Sequence, residues 1–357
     1  MVDNKSITKS GVGLALSGGG SRAIAFHYGV LETLHSLGID KKIEVVSAIS
    51  GGAVIAALWV VYSSDWDSFV KNVELILKKG LEGTILRRLK HPVTLLQQIF
   101  NLGIDPSLLA EAIDDLVLHD INLKELPDKP VLILNATDLR TGSNFKFSKS
   151  ISGSYKDGEI NLGDMKLSEA VACSAAYPAC FRAKRLRMNN GKDVFLTDGG
   201  SYDGLGANAL MPDKDEKISI LVQDCETIIT SDASAPFLED RKYLGRSIGD
   251  ALYSSYLTSA KRVRSLIYNK MYHLKDSGDI PYLGTIKMDS KHPDLTIGWN
   301  KTDLEFVNGY KTNFKPVTGK AVDYIKKRGK ESAEIIIQKY LSHLTKENNN
   351  KEGSKNG

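Results

Sequence analysis

Apolar positions follow two rhythms at the start of the chain. "VGLAL" (12–16) is short, wholly apolar and bounded by glycine, which predicts a buried strand. "IAFHYGVLETLHSLG" (24–38) repeats apolar residues at Ile24, Tyr28, Leu31 and Leu34, one face of a helix, with Gly38 placed to end it. "IEVVSAI" (43–49) predicts a second strand, and "GGAVIAALWVVY" (51–62) a helix that is apolar on every side and therefore buried. Strand, helix, strand, helix in that order predicts a parallel sheet covered by helices.

The rhythm changes over 64–128. "WDSFVKNVELILKKG", "TLLQQIF" and "PSLLAEAIDDLVL" are helical stretches with no strand between them, which predicts a helical insertion or cap. "VLILNATDLRTGSNFKFS" (131–148) returns to strand rhythm as a hairpin turning at "RTGS". A buried strand is predicted at "ISILVQDC" (218–225), a long helix over 246–274, a late strand at "GTIKMD" (284–289) and one or two closing helices over 321–346. The tail "ENNNKEGSKNG" (347–357) is polar and predicted disordered.

Composition narrows the class. With 357 residues, 42% of them hydrophobic, the chain can bury a large core. The net charge of +4 comes without the dense basic stripe and interleaved aromatics of a nucleic-acid-binding domain, so no nucleic-acid partner is expected. The mild positive balance suits an anionic membrane surface or an acidic ligand. Cys173, Cys180 and Cys225 are too few for a disulfide framework and suit a reducing compartment. The polar opening "MVDNKSITKSG" lacks the apolar core of a signal peptide, and "AVIAALWVVY" (53–62) is too short to span a bilayer. These features predict a cytoplasmic protein whose membrane contact, if any, is peripheral.

Candidate chemistry sits at three glycine-bearing junctions. In "VSAISGGAV" (46–54) a strand runs into Ser50, then Gly51, Gly52 and a helix, the arrangement of a nucleophile elbow. Ala48 and Gly52 are expected to approach each other across that turn; the plain alternative is a Ser-Gly-Gly helix cap. In "LALSGGGSRA" (14–23), Gly18, Gly19 and Gly20 lie at a strand-to-helix turn where several N–H groups can face one anion, either a bound phosphate or the oxyanion of an attacked ester. No Lys-Ser/Thr pair follows these glycines, and the second strand ends in Ile49-Ser50 where a dinucleotide site needs an acid. Arg22 next to them is either a helix-surface charge or part of the anion site. In "FLTDGGSYDGLGANAL" (195–210), Asp198 precedes Gly199-Gly200; alone it reads as a turn in which the carboxylate caps its own backbone, and beside a serine elbow it becomes a candidate base.

Taken in order, "SGGGSRA", "AISGG" and "TDGG" resemble the oxyanion loop, nucleophile elbow and catalytic aspartate of the patatin-like phospholipases. "NATDLRTG" (135–142), "ACSAAYPACF" (172–181) and "DGGSYDGLGANAL" (198–210) resemble the family as well, and the likeness covers residues 12–225. Ala48 and Ala23 stand where the family most often has glycine. The resemblance implies a three-layer α/β/α patatin-like fold with a mainly parallel central sheet and a helical insertion. It implies one domain over 12–346 between a polar lead (1–11) and the tail. It also implies a lipid acyl hydrolase, of phospholipase A or lysophospholipase type, acting through a Ser-Asp dyad with Ser50 as nucleophile and Asp198 as its partner. The N–H groups of Gly18, Gly19 and Gly20 would form the oxyanion hole, with Arg22, Gly51, Gly52, Gly199 and Gly200 in support. The substrate would be a phospholipid or lysophospholipid at the inner membrane face, with no cofactor or metal. Two other readings stay open: a lipase effector switched on by a second ligand, and a head-group-binding module that uses the glycine turn without turnover.

The remaining features are less specific. The leucine-rich basic stretch 77–100 reads equally as a lipid-docking surface and as a helical cap with a solvated basic face. "SAKRVR" (259–264) reads as a solvated face, with phosphate recognition as the lesser alternative. The cysteines are expected in the core, and His27 is expected packed below the site and outside the proton path.

Overall fold

Strand β1 (Ser10–Leu16) shows how the chain divides. Successive side chains of a strand point to opposite faces, and here Leu14 and Leu16 enter one hydrophobic cluster while Ala15 enters another. Both faces are covered, which is why the strand reads as a continuous apolar run. The computed structural model describes residues 10–89, 103–160, 163–178, 180–212, 225–234, 247–289 and 299–346. The expectations for 1–9, 90–100, 218–224 and 347–357 lie outside them.

In chain order β1 leads into α1 (Gly20–Ser36), β2 (Ile43–Ala48), α2 (Ser50–Val61), α3 (Trp66–Lys79), α4 (Glu82–Leu89) and α5 (Pro106–Ile113). Then come β3 (Val131–Asp138), β4 (Ser143–Phe147), β5 (Ser152–Ser154), β6 (Gly158–Ile160), α6 (Leu167–Ser174), β7 (Lys184–Arg187) and β8 (Asp193–Asp198). The last elements are β9 (Cys225–Asp232), α7 (Ile248–Asp276), β10 (Tyr282–Lys287), α8 (Lys301–Gly309), α9 (Lys320–Tyr340) and α10 (His343–Lys346).

The sheet runs β10-β9-β1-β2-β3-β4-β5-β6. Its first five strands are parallel. From β3 onward the pairing is antiparallel, so the sheet as a whole is mixed. The hairpin predicted over 131–148 is β3-β4. The strand expected at 218–225 lies outside the described residues except for Cys225, where β9 begins; β9 pairs with β1 from Cys225 to Ser231. Its sequence, "CETIITSD", carries Thr227, Thr230 and Ser231 among isoleucines, and β-branched threonine suits a strand as well as valine does.

The two faces are covered unequally. Residues from α1, α2, α3, α6 and α9 fill the larger cluster, together with Phe69, Val73, Ile85 and Leu109 from the region between α2 and β3. Helices α1 and α9 cross at backbone contact: a β-carbon on Gly29 would stand 2.0 Å from the Lys326 carbonyl oxygen, and one on Gly329 2.1 Å from that of Phe26. The smaller cluster joins the segment Leu205–Met211 with Ile267 and Met271 of α7.

Candidate active site

The pairing of β3 brings the site together. β2 pairs with β3 only as far as Ala48 opposite Leu134. Beyond that point β8 takes the same edge, antiparallel, with Asp198 opposite Ala136. The end of β2 and the end of β8 therefore converge on one edge, and the residues after them are Ser50 and the Gly199-Gly200 turn.

Ser50 opens α2 with a left-handed backbone, φ 52°. A side chain in that region costs about 1–2 kcal/mol, so the turn survives only because its surroundings hold it. The Ile49 N–H donates to the Leu16 carbonyl at 3.2 Å. The Ser50 N–H donates to Ser174 Oγ at 3.1 Å, and the Ser174 hydroxyl donates to the Asn135 carbonyl at 2.6 Å. The Asn135 side-chain amide donates to Ser47 Oγ at 2.9 Å and to the Ala48 carbonyl at 3.2 Å. At Gly51 a β-carbon would stand 2.3 Å from the Gly20 carbonyl oxygen, so elbow and glycine turn touch backbone to backbone. The nearest atoms at Gly52 are the Leu16 and Ser17 carbonyl oxygens, each 2.5 Å from a would-be β-carbon; the close approach there is to the end of β1, where the sequence suggested Ala48.

The glycine turn faces the serine. A β-carbon on Gly18 would lie 3.0 Å from Ser50 Cβ and 3.6 Å from its Oγ. Neither Gly18 nor Gly19 gives its N–H to a partner among the described residues. Gly20 has φ 60°, and a β-carbon there would stand 2.2 Å from the Asn313 carbonyl oxygen, so no other residue fits. The bulk of Ala23 and Ala48 is accommodated: both methyls are fully buried.

Asp198 is fixed through its backbone. Its N–H donates to the Ala176 carbonyl at 3.0 Å, and its carbonyl accepts from the Thr137 hydroxyl at 3.0 Å. Oδ1 accepts from the Gly200 N–H at 2.7 Å, the self-capping turn that the sequence offered as the plain alternative. The other oxygen, Oδ2, is buried and makes no hydrogen bond among the described residues. Burial pushes the Asp198 carboxyl up to about 6, against the lowering effects of the Gly200 N–H and of the Ser50 hydroxyl next to it. A serine–base contact that is loose without substrate and tightens in the reacting complex is ordinary. Gly199 sits against the Asn135 carbonyl, 2.3 Å from a would-be β-carbon.

Arg22 is buried, which removes the surface-charge reading. Its Nε donates to the Ala233 carbonyl at 3.1 Å and its Nη1 to the Tyr310 carbonyl at 2.7 Å. Burial pushes it down to about 10, which leaves it charged at neutral pH. It ties the start of α1 to the end of β9 and to the segment after α8. His27 is fully buried: Nε2 donates to the Ser17 carbonyl at 2.9 Å, so Nδ1 accepts from the Ser231 hydroxyl at 2.7 Å. Burial pushes its pKa down to about 4, so it is neutral and holds the residue just before the glycine turn.

Sequence reasoning singled out none of Ser174, Asn135, Tyr177 or Tyr256. The first three lie in stretches noted for their resemblance, and a lone polar side chain in an apolar run such as "ACSAAY" was the available signal. Tyr177 and Tyr256 meet edge to face with ring centroids 5.7 Å apart, and the Tyr256 and Ser201 hydroxyls are 3.4 Å apart. Burial pushes Tyr256 up to about 12, and the charge of Asp198 adds to the shift. Cys173 and Cys225 are buried as expected, whereas Cys180 is exposed, at the turn after Tyr177. Among the described residues no group of His, Cys, Asp or Glu is arranged to hold a metal ion.

Known proteins match this architecture. The chain is similar to human GIVD cytosolic phospholipase A2 in complex with methyl gamma-linolenyl fluorophosphonate, at 15% identity and a TM-score of 0.50, over 94% of this chain and 59% of that one. A second structure of the same human enzyme, with inhibitor and terbium chloride, gives 12% identity and a TM-score of 0.52 over 94% and 60%. VipD from Legionella pneumophila matches at 14% identity with a TM-score of 0.42, over 92% and 67%. The chain thus spans less than two thirds of the human phospholipase chains, and the likeness is one of fold. No curated protein matches it. A family comparison matches residues 14–211 to Patatin-like phospholipase, a span that holds Gly18–Gly20, Ser50 and Asp198, and the chain belongs to that family.

Proposed function

We propose that the protein is a lipid acyl hydrolase that cleaves carboxylic esters of glycerophospholipids or lysophospholipids through an acyl-Ser50 intermediate. The observation that carries this reading is the state of Asp198: its carboxylate is buried, one oxygen is committed to Gly200, and the hydroxyl of a strained serine lies next to the group and lowers its pKa. Asp198 takes the Ser50 proton as Oγ attacks the ester carbon, and the carbonyl oxygen becomes an oxyanion that accepts from N–H groups of the turn Gly18–Gly20. Collapse breaks the ester C–O bond, and protonated Asp198 gives its proton to the leaving alcohol. Water then attacks the acyl-serine, again losing its proton to Asp198, and the fatty acid leaves as Ser50 regains its hydrogen. A pKa of about 6 suits both directions, because the group is ionised at neutral pH and still basic enough to accept.

A head-group binder without turnover gives no reason to keep a carboxylate oxygen buried and unpaired, which costs stability. Among the described residues no helix is long and apolar enough to cross a membrane; on this reading a phospholipid substrate is met at the surface of a bilayer. The test is release of fatty acid from phospholipid vesicles and of alcohol from a soluble short-chain ester, with Ser50→Ala as control. The expected result is turnover of both substrates by the parent protein and of neither by the variant; equal turnover by the two proteins refutes the reading.

A further inference from the structure

We infer that the exposed side of α7, which carries Ile248, Leu252 and Leu266, is the surface on which the protein lies against an anionic lipid bilayer. The inference rests on the lipid-hydrolase reading and goes beyond it by naming the docking face. Of this long helix only Ile267 and Met271, near its carboxyl end, are buried. Ile248 is 82% exposed, Leu252 66% and Leu266 48%. Ile248 and Leu252 are one turn apart, and Leu266 returns to the same side of the helix. Single exposed apolar residues need no explanation, but several on one helix side do.

Two further observations identify the occupant. The first is charge. Over Ile248–Asp276 the helix carries five cations, Lys261, Arg262, Arg264, Lys270 and Lys275, against two acids, Asp250 and Asp276, one at each end. Arg264 faces Asp232 at 3.7 Å, while Arg262 and Lys270 are exposed and flank the side of the helix that carries Ile248 and Leu266. An apolar stripe flanked by cations is the pattern of a helix lying in a membrane interface with anionic lipid. The second is continuity with the dyad. Tyr256 of the same helix lies against Tyr177 and Ser201 and feels the charge of Asp198, and the Tyr177 hydroxyl donates to that of Tyr253 at 3.3 Å. A bilayer held on Ile248 and Leu252 therefore delivers its acyl esters at the rim of the site.

The competing surface from the sequence, 77–100, is different where it is described. Leu77, Leu81 and Ile85 point into the core, Leu86 alone of its described leucines is well exposed, and Arg88 is paired with Glu111 and Asp115. That part reads as a cap with a solvated basic face.

The experiment compares the full chain with Ile248→Ser/Leu252→Ser and with Arg262→Glu/Lys270→Glu. Each is sedimented with phosphatidylcholine vesicles and with mixed phosphatidylcholine–phosphatidylglycerol vesicles. The apolar variant is expected to bind both vesicle types at least about tenfold more weakly. The charge variant is expected to lose about fivefold per reversed residue, on the mixed vesicles alone. Turnover of a soluble short-chain ester by the apolar variant stays within about twofold, as for a surface change away from the site. Vesicle binding by the variants equal to that of the parent chain overturns the proposal. So does a parent chain that binds neither vesicle. A shift from dimer to monomer in the apolar variant with vesicle binding unchanged overturns it in favour of a second copy on this face. If no form hydrolyses the soluble ester, the hydrolase reading fails, and vesicle binding still decides the docking face.

Discussion

Helices α1 and α7 flank the same sheet from opposite faces and are built in opposite ways. α1 is buried along nearly its whole length and meets α9 at backbone contact, whereas α7 buries only Ile267 and Met271. The side of α1 and α2 contains the strained Ser50, the committed Arg22 and the neutral His27. The side of α7 contains exposed leucine, isoleucine and tyrosine. Strain persists only where neighbouring atoms leave no alternative, so the chemistry is placed where packing is densest. A surface that must separate from water and meet a changing partner belongs where packing is thinnest.

The sharpest test of this contrast is Ser50→Ala, expected to lower ester turnover by about 10⁴-fold or more with an unchanged circular dichroism spectrum. Asp198→Asn should be nearly as severe, since an amide cannot take the proton. In the parent protein kcat/KM should rise with pH through about 6, as Asp198 ionises. The stability effect has the opposite sign. The folded carboxyl has a raised pKa, so it favours the fold below its unfolded value of 3.8 and loses that advantage as pH rises through about 6. Thermal melts of Asp198→Asn should therefore lie above the parent at pH 8 by up to about 3 kcal/mol of unfolding free energy and converge with it near pH 4.

A matched pair of glycine changes compares the two sides directly. Gly51→Ala forces a β-carbon to 2.3 Å from the Gly20 carbonyl and should cost about 1–3 kcal/mol and on the order of 10²-fold in turnover. Gly249→Ala on α7 meets nothing closer than Ser247 Oγ at 3.8 Å and should stabilise by about 0.4–1 kcal/mol with turnover intact. Equal costs at the two positions would erase the contrast. His27→Gln should lower turnover less than about tenfold and cost about 1–3 kcal/mol, as for a buried hydrogen-bonding group. Its folded pKa is depressed, so parent stability is lost as pH falls from the unfolded value of 6.5 through about 4; the variant's melting temperature should depend less on pH there. Leu252→Ser should be the mildest, shifting unfolding by no more than about 0.5 kcal/mol in a denaturant titration.

Much of this protein is legible in one dimension because its signals are local. Short continuous apolar runs and period-3.6 patterns predicted the early strands and helices, and glycine triplets and doublets marked the turns at Ser50, Gly18–Gly20 and Asp198. Local pattern fails where the partner is remote. Thr227 and Thr230 make a strand only because β1 and β10 flank them. Cys180 looks like a core residue until the turn after Tyr177 exposes it. The sequence leaves Arg22 between a helix-surface charge and part of the anion site, and only the Ala233 and Tyr310 carbonyls, far along the chain, show it buried and bonded. Ser174 and Asn135 acquire their role from the strained serine that they hold. The sequence by itself singled out Ser50, Asp198 and Gly18–Gly20 as the candidates for nucleophile, base and anion-binding turn, because those candidacies depend on side-chain chemistry and short-range backbone freedom. Only the tertiary structure decided that β8 takes the edge of β3 that β2 vacates, because strand pairing is a long-range choice; that choice sets a buried carboxylate next to a serine more than a hundred residues away.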